Sequence, residues 1–270
     1  MLPQFAYIRP RTEREALEQL TSPEARIHAG GTDLLGCLRD RVFEADKIVS
    51  LGGLDGLEGV RESHDGGLRI GALTSIAAVA ENASIRVKFP GLAQAAEAVA
   101  SPQLRNQGTL GGNLCQRPRC WYFRGDFHCA KKGGDRCFAL AGENRYHAIF
   151  GGDPCHIIHP SDTAPMLLAL RASVRIVGPD GDRIVPLDDF FVLPEDDLYR
   201  ENTLTRGELA GGPAQERGRH IVGEGLCALP SAGTEACRFT SFGYRPYSRI
   251  LRHRVVRLMP RAVAASERRH

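Results

Sequence analysis

Five of the eight cysteines, Cys115, Cys120, Cys129, Cys137 and Cys155, sit in one stretch between residues 114 and 160 that has no amphipathic period and is rich in Gly, Pro and His. A connection of that length without regular structure is either functional or disordered. A 270-residue chain that is 42% hydrophobic buries a core without disulfide staples. Cysteines grouped in such a chain point to metal binding or redox chemistry rather than to crosslinks. Their spacing, C-x4-C-x8-C-x7-C-x17-C, lacks the close C-x2-C knuckles of a zinc ribbon. Soft thiolates suit zinc or an iron–sulfur cluster, and wide spacing on an irregular loop is compatible with a cubane whose corners face different ways. Trp121, Tyr122 and Phe123 are expected to shield it. His156 and His159 flank the last cysteine as ligands or partners of ligands, though packing is the stronger expectation for both, as it is for His28.

Charge and hydropathy exclude several classes. No window approaches the roughly 18 apolar residues of a membrane helix. The opening, MLPQFAYIRPRTEREALEQL, has no basic-then-apolar export pattern, so a cytoplasmic location is the default expectation. The net charge of +3 is uneven: residues 1–205 carry 23 Lys or Arg against 27 Asp or Glu, while residues 206–270 carry 12 Arg, no Lys and 5 Glu. A basic tail suits nucleic acid, but this one lacks interleaved aromatics for stacking bases. No Ser-His-Asp or paired-carboxylate constellation emerges, so a redox role is favoured over a hydrolytic one.

The first half alternates helix and strand. A helix is expected over Thr12–Leu20 with Thr12 as cap, then a strand at Arg26–Ala29, a helix at Leu34–Arg41 and a strand at Lys47–Leu51. Leu68–Gly71 reads as a strand, with Thr74 capping the helix through Ala80. Gly91–Val99 is an alanine-rich helix, and Arg105–Asn113 is a glycine-punctuated turn. Beyond the cysteines, Ser161 and Asp162 cap a helix at Ala164–Leu170. Strands at Ser173–Val177 and about Arg183–Pro186 flank the turn Gly178–Gly181. There is no internal repeat.

Two glycine-rich turns stand out: Ala29-Gly30-Gly31-Thr32-Asp33-Leu34 and Gly108-Thr109-Leu110-Gly111-Gly112-Asn113. Glycine lets a backbone approach a phosphate, and the amides of such turns donate to it. Thr32, Asp33, Thr109 and Asn113 add polar side chains at the rims. Neither turn has the Rossmann or P-loop spacing. Each alone is no more than a tight turn; the pair favours a diphosphate held between them.

At these residues the chain resembles the FAD-binding (medium) subunit of the molybdenum hydroxylases, the xanthine dehydrogenase and aldehyde oxidase group. The resemblance rests on AGGTDLLG at 29–36, ASPQLRNQGTLGGNL at 100–114 and HPSDTAP at 159–165, and covers about residues 1–205. The stretch QRPRCWYFRGDFHC…GDRC…GGDPC resembles the branch whose flavin subunit carries an extra 4Fe-4S cluster, the aldehyde oxidoreductase and 4-hydroxybenzoyl-CoA reductase type. NRYHAIFGGDPCHIIHPSD is closer to the aldehyde oxidoreductases.

The resemblance implies an α+β fold of the vanillyl-alcohol-oxidase (PCMH) type, with two FAD-binding subdomains at 1–55 and 56–178 and the cluster loop at 114–160. It implies FAD held by Ile27, His28, Ala29, Gly30, Gly31, Thr32, Asp33 and Leu34 on one side. Thr109, Leu110, Gly111, Gly112 and Asn113 form the other, with Val99, Ala100 and Asp162 lining the pocket. The implied cluster ligands are Cys120, Cys129, Cys137 and Cys155, with Cys115 a bystander. The implied partners are a molybdopterin-binding large subunit and a 2Fe-2S small subunit, and electrons pass from them through FAD to an external acceptor. Export on a partner's signal would place the complex in the periplasm.

Residues 179–209 then begin the family's C-terminal domain. Residues 210–270 depart from it: the family's further α/β domain supplies a lysine near the flavin ring, and here there is neither its strand pattern nor any lysine. In a chain with 31 Arg and 4 Lys, that segment reads as out-of-frame translation of GC-rich DNA, and the expectation is an aberrant tail. The competing readings are a 4-hydroxybenzoyl-CoA reductase-like flavin subunit and, from another class, a zinc-binding scaffold with a basic nucleic-acid-contacting tail.

Overall fold

The computed structural model describes residues 2–63, 66–210 and 227–229. Two sheets organise the chain. The first is parallel and built from β1 (Ala6–Ile8), β2 (Ala25–His28) and β3 (Lys47–Ser50), in the order β1-β3-β2. Helix α1 (Glu13–Gln19) connects β1 to β2 and α2 (Leu34–Arg39) connects β2 to β3, because parallel neighbours need a crossover rather than a hairpin. Thr12 caps α1 by accepting from the Glu15 amide, as the sequence predicts.

The second sheet is antiparallel. It contains β4 (Val60–Glu62), β5 (Leu68–Ile70), β6 (Ser173–Gly178), β7 (Gly181–Pro186), β8 (Leu209–Ala210) and β9 (Cys227–Leu229). The path is β4-β5-β9-β6-β7, with β8 also on β6. Between β5 and β6 come α3 (Ile76–Glu81), α4 (Ala83–Lys88), α5 (Pro90–Glu97), α6 (Pro102–Gln107), α7 (Leu110–Leu114), the single turn α8 (Trp121–Arg124) and α9 (Ala164–Ala169). A last turn, α10 (Leu187–Phe190), follows β7. The main core lies where α3, α5, α7 and α9 bury Ile76, Val79, Leu92, Ala96, Leu110 and Leu167 against Leu68, Ile70, Val174 and Ile176. A second cluster joins Ala16, Leu20, Val49 and Leu51 to Val177 and Leu209, so the first sheet's helix layer packs on the second sheet.

Several expectations need correction. Thr74 does not cap α3; Ser75 does, accepting from Ala78, while the Thr74 hydroxyl bonds both backbone groups of Gly59. The stretch 105–113 is not one turn but the end of α6, a Gly108-Thr109 break, and α7. Thr109 caps α7 through the Gly112 amide, a role that its hydroxyl takes once Gly108 stops α6. The cysteine stretch is mostly irregular, as expected, but contains α8 and two 3-10 turns at Ala130–Lys132 and Phe138–Leu140. The aberrant-tail expectation falls outside the described residues, except that Cys227–Leu229 forms a strand where the sequence suggests none. β9 pairs with both β5 and β6 and so satisfies backbone groups that those strands would otherwise leave bare.

Candidate functional site

The two glycine turns meet. A Cβ on Gly30 would stand 1.8 Å from the Gln107 carbonyl oxygen and 3.3 Å from the Gly108 Cα. Only a residue without a side chain permits that approach. Gly31 adopts φ 72°, a left-handed conformation, and a Cβ there would meet the His28 ring. The second turn is anchored from behind: Ile76 N donates to Gly108 O, Leu110 N to Thr74 O and Gly111 N to Ala72 O, each at 2.9 Å. The Gly112 and Asn113 amides donate to the Thr109 hydroxyl and carbonyl. With the Gly108 amide donating to Leu104 O, five amides of the second turn are spent inside the protein, and its contribution to a ligand comes from Thr109 and from the shape of the turn.

Between the turns opens a cavity of about 460 Å³. Of the residues expected to hold a flavin, Thr32, Asp33, Val99, Ala100, Thr109, Gly112, Asn113 and Asp162 line it. Ile27, His28, Ala29, Gly30, Gly31, Leu34, Leu110 and Gly111 lie outside its lining. Leu110 is wholly buried in the main core, and His28 packs edge-on to Tyr7. Ala100 sits at φ 41°, a costly conformation for a residue with a Cβ; Arg105 holds the neighbouring Val99 carbonyl at 2.8 Å.

Two polar side chains turn out to have structural tasks. The Asn113 Oδ1 accepts from the buried hydroxyls of Ser161 (2.6 Å) and Thr163 (2.7 Å), which fixes which way its amide points. The N-cap position of α9 is Thr163 rather than the expected Ser161 or Asp162, and the Ser161 hydroxyl accepts from the Ala164 amide at the start of that helix. Asp33, which the sequence places only at the pocket rim, does more. Its carboxylate ties the first turn to the start of the cysteine loop: it accepts from the Arg117 amide and Arg124 at 2.8 Å, with Arg119 at 3.3 Å.

Cys120, Cys129, Cys137 and Cys155 line one small second cavity, together with Tyr122, Phe123 and Phe138. The nearby backbone N–H groups of Tyr122 and Phe123 favour the charged form of Cys120, and that of Ile157 the charged form of Cys155. Burial raises the thiol pKa of Cys120, and pushes that of Cys155 up to about 11, while Lys131 acts against the shift at Cys155. Among the described residues, no group of three or more His, Cys, Asp and Glu is arranged to hold a metal ion. Cys115 stands apart, packed against the main core with its thiol pushed up to about 12 by burial, in keeping with a bystander.

Tyr122 and Phe123 line the thiol cavity, whereas Trp121 lines the larger one. His159 packs on Phe191 at 4.6 Å. The histidine that does meet a cysteine is His147, with Nε2 3.1 Å from the Cys120 sulfur. Nothing in its local spacing marks it; the loop brings it back across 27 residues.

Lys131 closes the site from beneath. Its side chain is 1% exposed and its ammonium stands 2.6 Å from Glu201 Oε1 and from the Leu198 carbonyl. Arg117 bonds the other oxygen of Glu201 at 2.5 Å. The cysteine loop is thereby bolted to residues 198–201.

Two glycine turns in contact at a large cleft define the site, and the chain that carries them matches a known family. Residues 3–209 match the family described as FAD binding domain in molybdopterin dehydrogenase, and the chain is a member of it: an oxidoreductase FAD-binding subunit of the molybdenum hydroxylases. It is 38% identical over 225 residues to the aldehyde oxidoreductase FAD-binding subunit PaoB of Escherichia coli, covering 80% of this chain and 70% of that protein. It is 37% identical over 111 residues to a xanthine dehydrogenase FAD-binding subunit of Escherichia coli O157:H7, spanning 41% of this chain and 38% of that protein. The fold is similar to that of the CO dehydrogenase of Oligotropha carboxidovorans, with a TM-score of 0.60 at 22% identity, covering 87% of this chain and 62% of that one.

Proposed function

We propose that this chain is the FAD- and 4Fe-4S-containing electron-transfer subunit of a molybdenum hydroxylase acting on aldehydes. It takes electrons from a molybdopterin-binding large subunit and a 2Fe-2S small subunit and passes them to an external acceptor, in the cytoplasm. The observation that carries the reading is the pair of adjoining cavities, one between two glycine turns and one ringed by four thiols, which have Cys120 and Ile157 as a common wall. The likeness to an aldehyde oxidoreductase subunit favours aldehydes over acyl-CoA substrates.

A flavin accepts two electrons and releases them singly, so it links a two-electron oxidation to one-electron carriers. This chain's residues bind and orient it. Thr32 and Asp33 of the first turn and Thr109 and Gly112 of the second, which line the large cavity, would hold the diphosphate. Asn113 is held in one orientation by Ser161 and Thr163, and Val99, Ala100 and Asp162 bound the remaining space. The subdomains 1–55 and 56–178 clasp the flavin in the PCMH manner. Cys120, Cys129, Cys137 and Cys155, which line the small cavity, would hold the cluster, each giving one thiolate to one iron.

The test is flavin and metal content of anaerobically purified protein, with its visible spectrum. One FAD and four irons per chain, with a broad absorbance near ~400 nm that dithionite bleaches, is the expected result. Zinc, or no metal, would sink the cluster; iron without flavin would sink the pocket assignment.

A further inference from the structure

We propose that His147 is a positioning and tuning residue for the cluster, donating its Nε2–H to the Cys120 sulfur at the wall between the two cavities. The proposal rests on the cluster assignment made above. Of the four thiols in the small cavity, Cys120 is the one that also lines the large cavity, so it is the sulfur nearest the flavin's space. His147 lines the large cavity too, with Nε2 3.1 Å from that sulfur.

The ring is held from several sides. Its backbone amide donates to Asn144 O at 2.9 Å, Trp121 packs edge-on at 5.3 Å, and Tyr122 lies tilted at 6.1 Å. The other ring nitrogen, Nδ1, is buried and has no hydrogen-bond partner among the described residues. A buried N–H without an acceptor is costly. The role requires the tautomer with the proton on Nε2, from which the sulfur accepts it. His147 is thereby the side chain within hydrogen-bond distance of the Cys120 sulfur.

Hydrogen bonds to cluster sulfurs stabilise the reduced, more negative state and raise the potential. The geometry sets this bond on the side facing the flavin, where it bears on electron exchange between the two groups. By sequence, His156 and His159 flank the last cysteine, with packing the stronger expectation for both. His159 turns to the Phe191 ring and accepts from the Ser161 amide, and it is the His147 ring that reaches a thiol.

The experiment uses the full chain, purified anaerobically, with FAD and iron counted and the cluster potential measured by EPR-monitored dithionite titration. Parent, His147→Ala and His147→Gln are compared. The expected result is an iron-loaded Ala variant with a lower potential and a Gln variant, which keeps an N–H donor, closer to the parent. In the parent, reduced protein labelled with 15N-histidine should show a hyperfine coupling that His147→Ala abolishes. An iron-loaded Ala variant with parental potential and unchanged coupling overturns the proposal while leaving the cluster standing. Loss of iron from both variants also overturns it, since His147 would then be needed to hold the cluster rather than to tune it. A parent without four irons removes the cluster reading itself, and this inference with it.

Discussion

At Gly30 a missing side chain decides whether two segments can touch. Filling the 1.8 Å gap to the Gln107 carbonyl forces the turns apart. Overpacking of this kind costs about 1–3 kcal/mol, which corresponds to roughly fivefold to 150-fold weaker flavin binding if the cleft bears the strain. Gly30→Ala is therefore expected to lose FAD on gel filtration while its circular dichroism stays parental. Gly36→Ala is the control, since its nearest neighbour is an Arg124 nitrogen 3.7 Å away. Equal FAD retention in the two variants would refute the turn contact. The glycine signature was legible in the sequence; the reason for Gly30 was not, because the Gln107 carbonyl belongs to a distant part of the chain.

Elements are locked together here by buried charge. Lys131, on a 3-10 turn of the cysteine loop, and Arg117, before α8, both reach Glu201 in the segment after α10. Removing one partner of a buried ion pair leaves the other uncompensated, at a cost of about 3–5 kcal/mol. Glu201→Gln preserves volume and removes the charge, and should lower the melting temperature by on the order of 10 °C, with iron lost before the helices unfold. An unchanged melting curve and iron content would show that Glu201 does not fasten the loop. No sequence pattern announced this bolt, since ion pairs between distant residues leave no local period. The helix and strand sites, by contrast, were largely legible. Thr12, the apolar runs at Lys47–Ser50 and Ser173–Gly178, and the Gly178–Gly181 turn each act through neighbours a few residues away. Short strands such as β1 and β4 were missed, because three residues carry too little alternation to register.

Across the whole molecule, pH acts through groups whose environment changes on folding. Burial lowers the His28 pKa from its ordinary value of 6.5, partly opposed by a backbone hydrogen bond. The unfolded chain then takes up a proton near 6.5 while the folded chain resists until lower pH. Stability from this group is complete above that ordinary value and is lost as pH falls from there through the folded pKa. Denaturant melts at about pH 7.5 and about pH 5.5, either side of the ordinary histidine range, should show a smaller loss for His28→Phe than for the parent. An equal loss in both would mean that His28 does not contribute to the slope.

The sequence by itself determined the alternation of helix and strand, the two glycine turns, the unusual cysteine loop and the family to which they belong, because those features act over short stretches or as whole motifs. Only the tertiary structure decided which side chains meet. It gathers four thiols around one cavity and turns Asp33 from a cleft residue into a tie for the cysteine loop. It also brings His147 rather than His159 to a sulfur. The physical reason is that hydrogen bonds and ion pairs depend on position to within about an ångström, and that precision comes from a core assembled out of residues remote from one another in the chain.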